Sequence, residues 1–109
     1  MLVVEDNMII ALDIDDMLQD AGAAEVHVAA SNGDALALID KARPSFALLD
    51  INVASHTSEQ VAERLHAIGV PFAFATGYGD DTDLASRYPK AVILNKPFSR
   101  TELLALFGS

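Results

Sequence analysis

Cysteine is absent from this chain, which removes both a disulfide framework and a thiolate metal site as ways of organising it. Basic residues are scarce: 7 Lys and Arg stand against 16 Asp and Glu, for a formal net charge of -9. That balance argues against nucleic-acid and membrane partners and favours cationic ones such as a metal ion. Much of the negative charge falls on one predicted helix, where it serves as solvated surface. No apolar run approaches the ~20 residues that cross a bilayer, and no basic region leads into an apolar stretch at the start. A reducing cytoplasm is the expected compartment. His27, His56 and His66 lack any ligand-like spacing and are expected at the surface, although His56 lies near Asp50 in sequence.

What is present is 109 residues, 51% of them hydrophobic, enough for one domain with its own core but too few for a second domain or an enzyme's cap. A single domain over residues 1–109 is expected, with its first strand and last helix cut short. Short apolar runs alternate with stretches of helical period, the mark of a parallel sheet covered on both faces. The runs are Leu2 to Val4, Val26 to Ala29, Phe46 to Leu49, Phe72 to Ala75 and Ala91 to Leu94. Between the first two, Ile10, Ile14, Met17, Leu18 and Ala21 recur at helical spacing opposite Asp13, Asp15, Asp16 and Asp20, and Gly22 ends the helix. Ser31 with Asp34, Thr57 with Gln60 and Ser99 with Glu102 have capping-box spacing ahead of three more helices. Val61, Leu65 and Ile68 mark the apolar stripe of the middle one, and Leu103, Leu104, Leu106 and Phe107 that of the last. From Gly77 to Lys90 the helical signal is poor, so a short helix or a mobile segment is expected there. Right-handed crossovers favour an α/β flavodoxin-like (βα)5 fold with strand order 2-1-3-4-5.

Glu5, Asp6, Asp50, Thr76 and Lys96 each fall where one of these runs stops. In an open α/β sheet, ligands bind in the crevice outside the carboxyl ends of the strands, so all five converge on one edge. Three carboxylates, a hydroxyl and an amine there make a site for a divalent cation and a phosphoryl group. Asp6 is also suited to cap the first helix.

These pieces, with Leu48-Leu49-Asp50-Ile51-Asn52 and Lys96-Pro97-Phe98, resemble the receiver domain of two-component response regulators over essentially the whole chain. The run Phe74-Ala75-Thr76-Gly77-Tyr78-Gly79 also resembles a subgroup named for its Phe-Ala-Thr-Gly motif (FATGUY), commonly stand-alone proteins. The resemblance implies that Asp50 accepts a phosphoryl group from a partner histidine kinase. It implies Mg2+ on Asp6, Asp50, Glu5 through water, and the backbone carbonyl of Asn52. It implies that Lys96 pairs with the phosphoryl oxygens, that Thr76 moves to one of them, and that the Lys96-Pro97 peptide is cis. A monomer or weak dimer is expected, and a self-phosphorylating and self-dephosphorylating switch rather than a conventional enzyme. The chain departs from many receivers at Ile93, where they carry Tyr or Phe, so the signal is expected to pass from Thr76 into the Gly77-Tyr78-Gly79 loop. Two rival readings are a phosphohydrolase with an aspartate nucleophile, disfavoured by Asn52 where its general acid would stand, and a pseudo-receiver that acts only as an interaction surface.

Overall fold

Strands of a parallel sheet covered on both faces must be apolar on both sides, and three runs of this protein, Leu2 to Val4, Ala47 to Leu49 and Phe72 to Ala75, are apolar and buried throughout. The computed structural model describes residues 1–22, 25–53, 56–77, 83–96 and 98–105. The elements run β1 (Leu2–Val4), α1 (Met8–Asp20), β2 (His27–Ala29), α2 (Asn32–Lys41), β3 (Ala47–Asp50), β4 (Asn52–Val53), β5 (His56–Thr57), α3 (Glu59–Ala67), β6 (Phe72–Thr76), α4 (Asp83–Ser86), β7 (Val92–Asn95) and α5 (Arg100–Leu104). Five strands form one parallel sheet in the order β2-β1-β3-β6-β7. This is the flavodoxin-like order expected from the sequence, with β6 and β7 as its fourth and fifth strands.

Successive strand residues face opposite sides and build two cores. Leu2, Val4, Leu49, Phe72 and Phe74 pack with Ile39 of α2, Val61 and Leu65 of α3 and Leu84 of α4. On the other face Val3, Leu48, Ala73, Ala75 and Leu94 pack with Ile14 and Leu18 of α1 and Leu103 of α5. Gly22 follows α1 at φ 95, a left-handed conformation that glycine adopts without the Cβ clash of other residues.

Several boundaries differ from expectation for local reasons. Asn7, not Asp6, caps α1: its side-chain oxygen accepts from the N–H groups of Ile9 and Ile10. Asn7→Ala is expected to cost about 1 kcal/mol, read as a lower urea midpoint at unchanged slope. Thr57 does not cap α3, because it pairs with Asn52 in an antiparallel β4–β5 ribbon that was not expected. Ser58 heads that helix instead, with no side-chain cap bond. The Ser99–Glu102 capping box forms in both directions. Within 77–90, α4 is a short helix whose Leu84 and Ala85 are buried. Tyr78, Gly79, Pro97, Leu106, Phe107, Gly108 and Ser109 lie outside the described residues, as do the side chain of His56 and the isomer of the Lys96-Pro97 peptide. His27 and His66 are exposed, as expected. Among the described residues no helix is long and apolar enough to cross a membrane.

Candidate phosphoryl and metal site

All five parallel strands end at one edge, and four of them deliver a polar residue there. The N–H of Glu5 bonds the carbonyl of Ala29 at 3.0 Å, so β1 still holds that residue. Asp50 closes β3 in register with Ala75, and the N–H of Ile51 beyond it bonds the Ala75 carbonyl at 3.2 Å. Thr76 closes β6, and the N–H of Lys96 bonds its carbonyl at 2.7 Å, which fixes where the lysine side chain starts.

The Lys96 ammonium donates to Glu5 Oε1 at 2.9 Å and lies 3.0 Å from Asp50 Oδ2. One ligand oxygen from each of Glu5, Asp6 and Asp50 lies within 4.8 Å of the others. Glu5 is 2% exposed, more deeply buried than its position after a short strand suggests, and Asp50 is 7% exposed. Asp6 faces solvent, so the cluster is open on one side. Burial raises the Asp50 carboxyl, and the Glu5 carboxyl beside it raises it further against the pull of Lys96, to about 7. Burial pulls the Lys96 ammonium down, but its bonds to Glu5 and Asp50 outweigh that and hold it above its ordinary value.

Three carboxylates against one ammonium leave the cluster with excess negative charge, in a geometry that suits a small oxygen-seeking cation. Glu5, Asp6 and Asp50 are the residues that would hold it. Asn52, expected to add its carbonyl, stands at the start of β4, held by pairing with Thr57. Thr76 sits on the same edge, but its hydroxyl donates to Asn95 Oδ1 at 3.1 Å. Sequence reasoning missed Asn95, because its pairing with Thr76 depends on strand register, which periodicity does not reveal.

Met8, Ile9 and Leu12, in the first turns of α1, are exposed apolar residues that follow Asp6 closely in the chain. Concavities of about 710 and 670 Å³ lie at the opposite sheet edge, one lined by Leu2, Ile39 and Pro44, the other by His66, Phe72 and Tyr88. Neither contains the acidic cluster.

The family model for the response regulator receiver domain matches residues 1–107. The chain is 28% identical over 110 residues to the phyllosphere-induced regulator PhyR of Methylorubrum extorquens, covering 98% of this chain and 41% of that protein. It thus spans about two fifths of the length of that curated relative. Among solved structures, SdrG from Sphingomonas melonis Fr1 is 35% identical with a TM-score of 0.80, over 95% of this chain and 91% of that one. The response regulator PhyR from Brucella abortus is 30% identical with a TM-score of 0.81, over 97% of this chain and 44% of that one.

Proposed function

The chain belongs to the response regulator receiver domain family, and from that premise we propose that it is a Mg2+-dependent phosphoacceptor taking its phosphoryl group from a histidine kinase onto Asp50. The observation that carries this reading is the convergence of Glu5, Asp6 and Asp50 within 4.8 Å, with Lys96 bonded to Glu5 and Asp50. In the transfer, an Asp50 oxygen attacks the phosphorus of a phosphohistidine. The P–O bond forms as the P–N bond breaks, and the imidazole leaves with its electron pair and takes a proton from solvent.

A carboxylate is a weak nucleophile, so such a transfer depends on in-line positioning and charge neutralisation. Bound at the cluster, Mg2+ would offset the carboxylate repulsion and the charge of the incoming phosphoryl oxygens. Lys96 is fixed between Glu5 and Asp50, where its ammonium meets a phosphoryl oxygen on Asp50 without a large rearrangement. The Phe74-Ala75-Thr76-Gly77 run supports a place among the receivers named for that motif. The protein acts as a switch in a reducing cytoplasm, charged by its kinase and slowly discharged by water, rather than as a turnover enzyme.

The test is intact mass after incubation with acetyl phosphate or candidate kinases, with and without Mg2+. The expected result is a gain of one phosphoryl group that requires Mg2+ and is absent in Asp50→Asn. Label that survives Asp50→Asn, or that forms equally well without the cation, overturns the reading, and steady release of phosphate from an ester points to the hydrolase instead.

A further inference from the structure

Thr76 and Asn95 occupy matched positions at the ends of neighbouring strands, β6 and β7. Thr76 is 5% exposed, and its hydroxyl is donated to the Asn95 side-chain oxygen. Asn95 is exposed on the sheet's edge strand, directly before Lys96. Ile93 lies on the same side of that strand, 46% exposed, with no polar group to follow a change at Thr76. A threonine hydroxyl has a single proton to donate. Thr76 therefore serves either Asn95 or a phosphoryl oxygen on Asp50, never both.

We infer that Asn95 is a positioning residue of the switch: it holds the Thr76 hydroxyl while Asp50 is unmodified and releases it when a phosphoryl oxygen arrives, so that the event is registered on the exposed edge strand. This inference rests on the phosphoacceptor reading of Asp50. An anionic phosphoryl oxygen is a stronger acceptor than a neutral amide, so the exchange runs forward on phosphorylation. The amide bond opposes it by the worth of one neutral hydrogen bond, which sets the resting bias. The released amide lies on the same face of the strand as the exposed Ile93, so this corner of β7 changes its hydrogen-bonding character without a rotating ring.

The test uses the whole chain with the phosphoryl analogue beryllofluoride and Mg2+, reading affinity by titration and the Asn95 side-chain amide by NMR. Asn95→Ala, at an exposed position, should take the analogue roughly 2- to 10-fold more tightly, the span of one neutral hydrogen bond. Thr76→Val removes the donor, and adding Asn95→Ala to it should change the affinity no further, which a merely structural role for Asn95 would not reproduce. In the wild type the Asn95 amide resonance should move on loading; in Thr76→Val it should stay in place. An equal fold-change for Asn95→Ala in both backgrounds, or an unmoved amide resonance in wild type with analogue bound, overturns the inference alone. A wild-type protein that takes no analogue overturns the phosphoacceptor reading and this inference with it.

Discussion

Lys96→Met should lower the stability of the metal-free protein by about 3–5 kcal/mol in alkaline buffer, where both carboxylates are ionised, the usual cost of removing one partner from a buried ion pair. Methionine keeps the apolar stem that lysine lays against its surroundings, so packing changes little and the loss is that of the charge. The lysine is the counter-ion of Glu5 and Asp50, whose side chains are 2% and 9% exposed. Without it, two carboxylates are left crowded and poorly solvated, in a domain whose whole stability is ordinarily about 5–15 kcal/mol. Acidification should rescue the variant. Lys96 is what pulls Asp50 down to about 7, so without it the carboxyl takes its proton at higher pH and donates a hydrogen bond to Glu5 instead of repelling it; the gap between Lys96→Met and wild type should narrow as pH falls from the alkaline side toward about 7. Urea titrations at several pH values check this, and an equal loss at every pH would mean that the charge is not what the lysine supplies.

The second large effect is the pH dependence of the unmodified protein. Asp50 is raised to about 7 from the ordinary carboxyl value of 3.8. Between those values the folded state keeps a proton on Asp50 that the unfolded state has lost. Unfolding then releases a proton, and stability falls as pH rises through the window. At about 1.36 kcal/mol per pH unit the Asp50 contribution is on the order of 4 kcal/mol, complete above pH 7 and absent below about 4. Lys96 is shifted the other way in effect: its raised value adds stability that persists below its ordinary pKa and disappears only as pH rises through the higher folded value, outside this window. The measurement is the difference between wild type and Asp50→Asn in metal-free buffer. Asparagine cannot ionise, so the variant should match or exceed wild type near pH 7 and lose that advantage toward pH 4. Saturating Mg2+ should flatten the wild-type curve over the same range, because a ligand of the folded state alone adds stability and this one favours the ionised carboxylate. A difference between the two proteins that does not vary from pH 4 to 8 would refute the assignment of the raised value to Asp50.

The residues at the ends of the apolar runs were legible because strand termini in a parallel sheet are fixed by hydrophobicity alone. Leu2 to Val4, Ala47 to Leu49 and Phe72 to Ala75 are apolar on both faces, and the first polar residue after each falls at the sheet edge whatever the exact register. That was enough to place Glu5, Asp50 and Thr76 at one edge, with Asp6 and Lys96 each one residue further along the chain, Lys96 behind Asn95. Details that depend on competition between neighbouring polar residues were not legible. Asp6 and Asn7 are both good cap residues, and the cluster claims Asp6 while the helix takes Asn7. Thr57 and Ser58 are likewise both cap formers, and pairing of Thr57 with Asn52 removes it from the contest. A ribbon whose strands are only Asn52–Val53 and His56–Thr57 is too short to show a period. Burial of Glu5 was hidden for a related reason: a charge after a strand is ordinarily solvated, and only a lysine from the far end of the chain makes its burial tolerable.

Glu5 and Lys96, joined in the finished site, are 91 positions apart in the chain. During synthesis both buried acids therefore leave the ribosome well before the ammonium that reconciles them. In the folded protein β7 lies beside β6 and brings Lys96 between the Glu5 and Asp50 carboxylates, so the last strand supplies the counter-charge to residues at the ends of the first and third. The charge balance of that corner is thus completed by the last strand of the sheet to be made, whichever elements have formed before it.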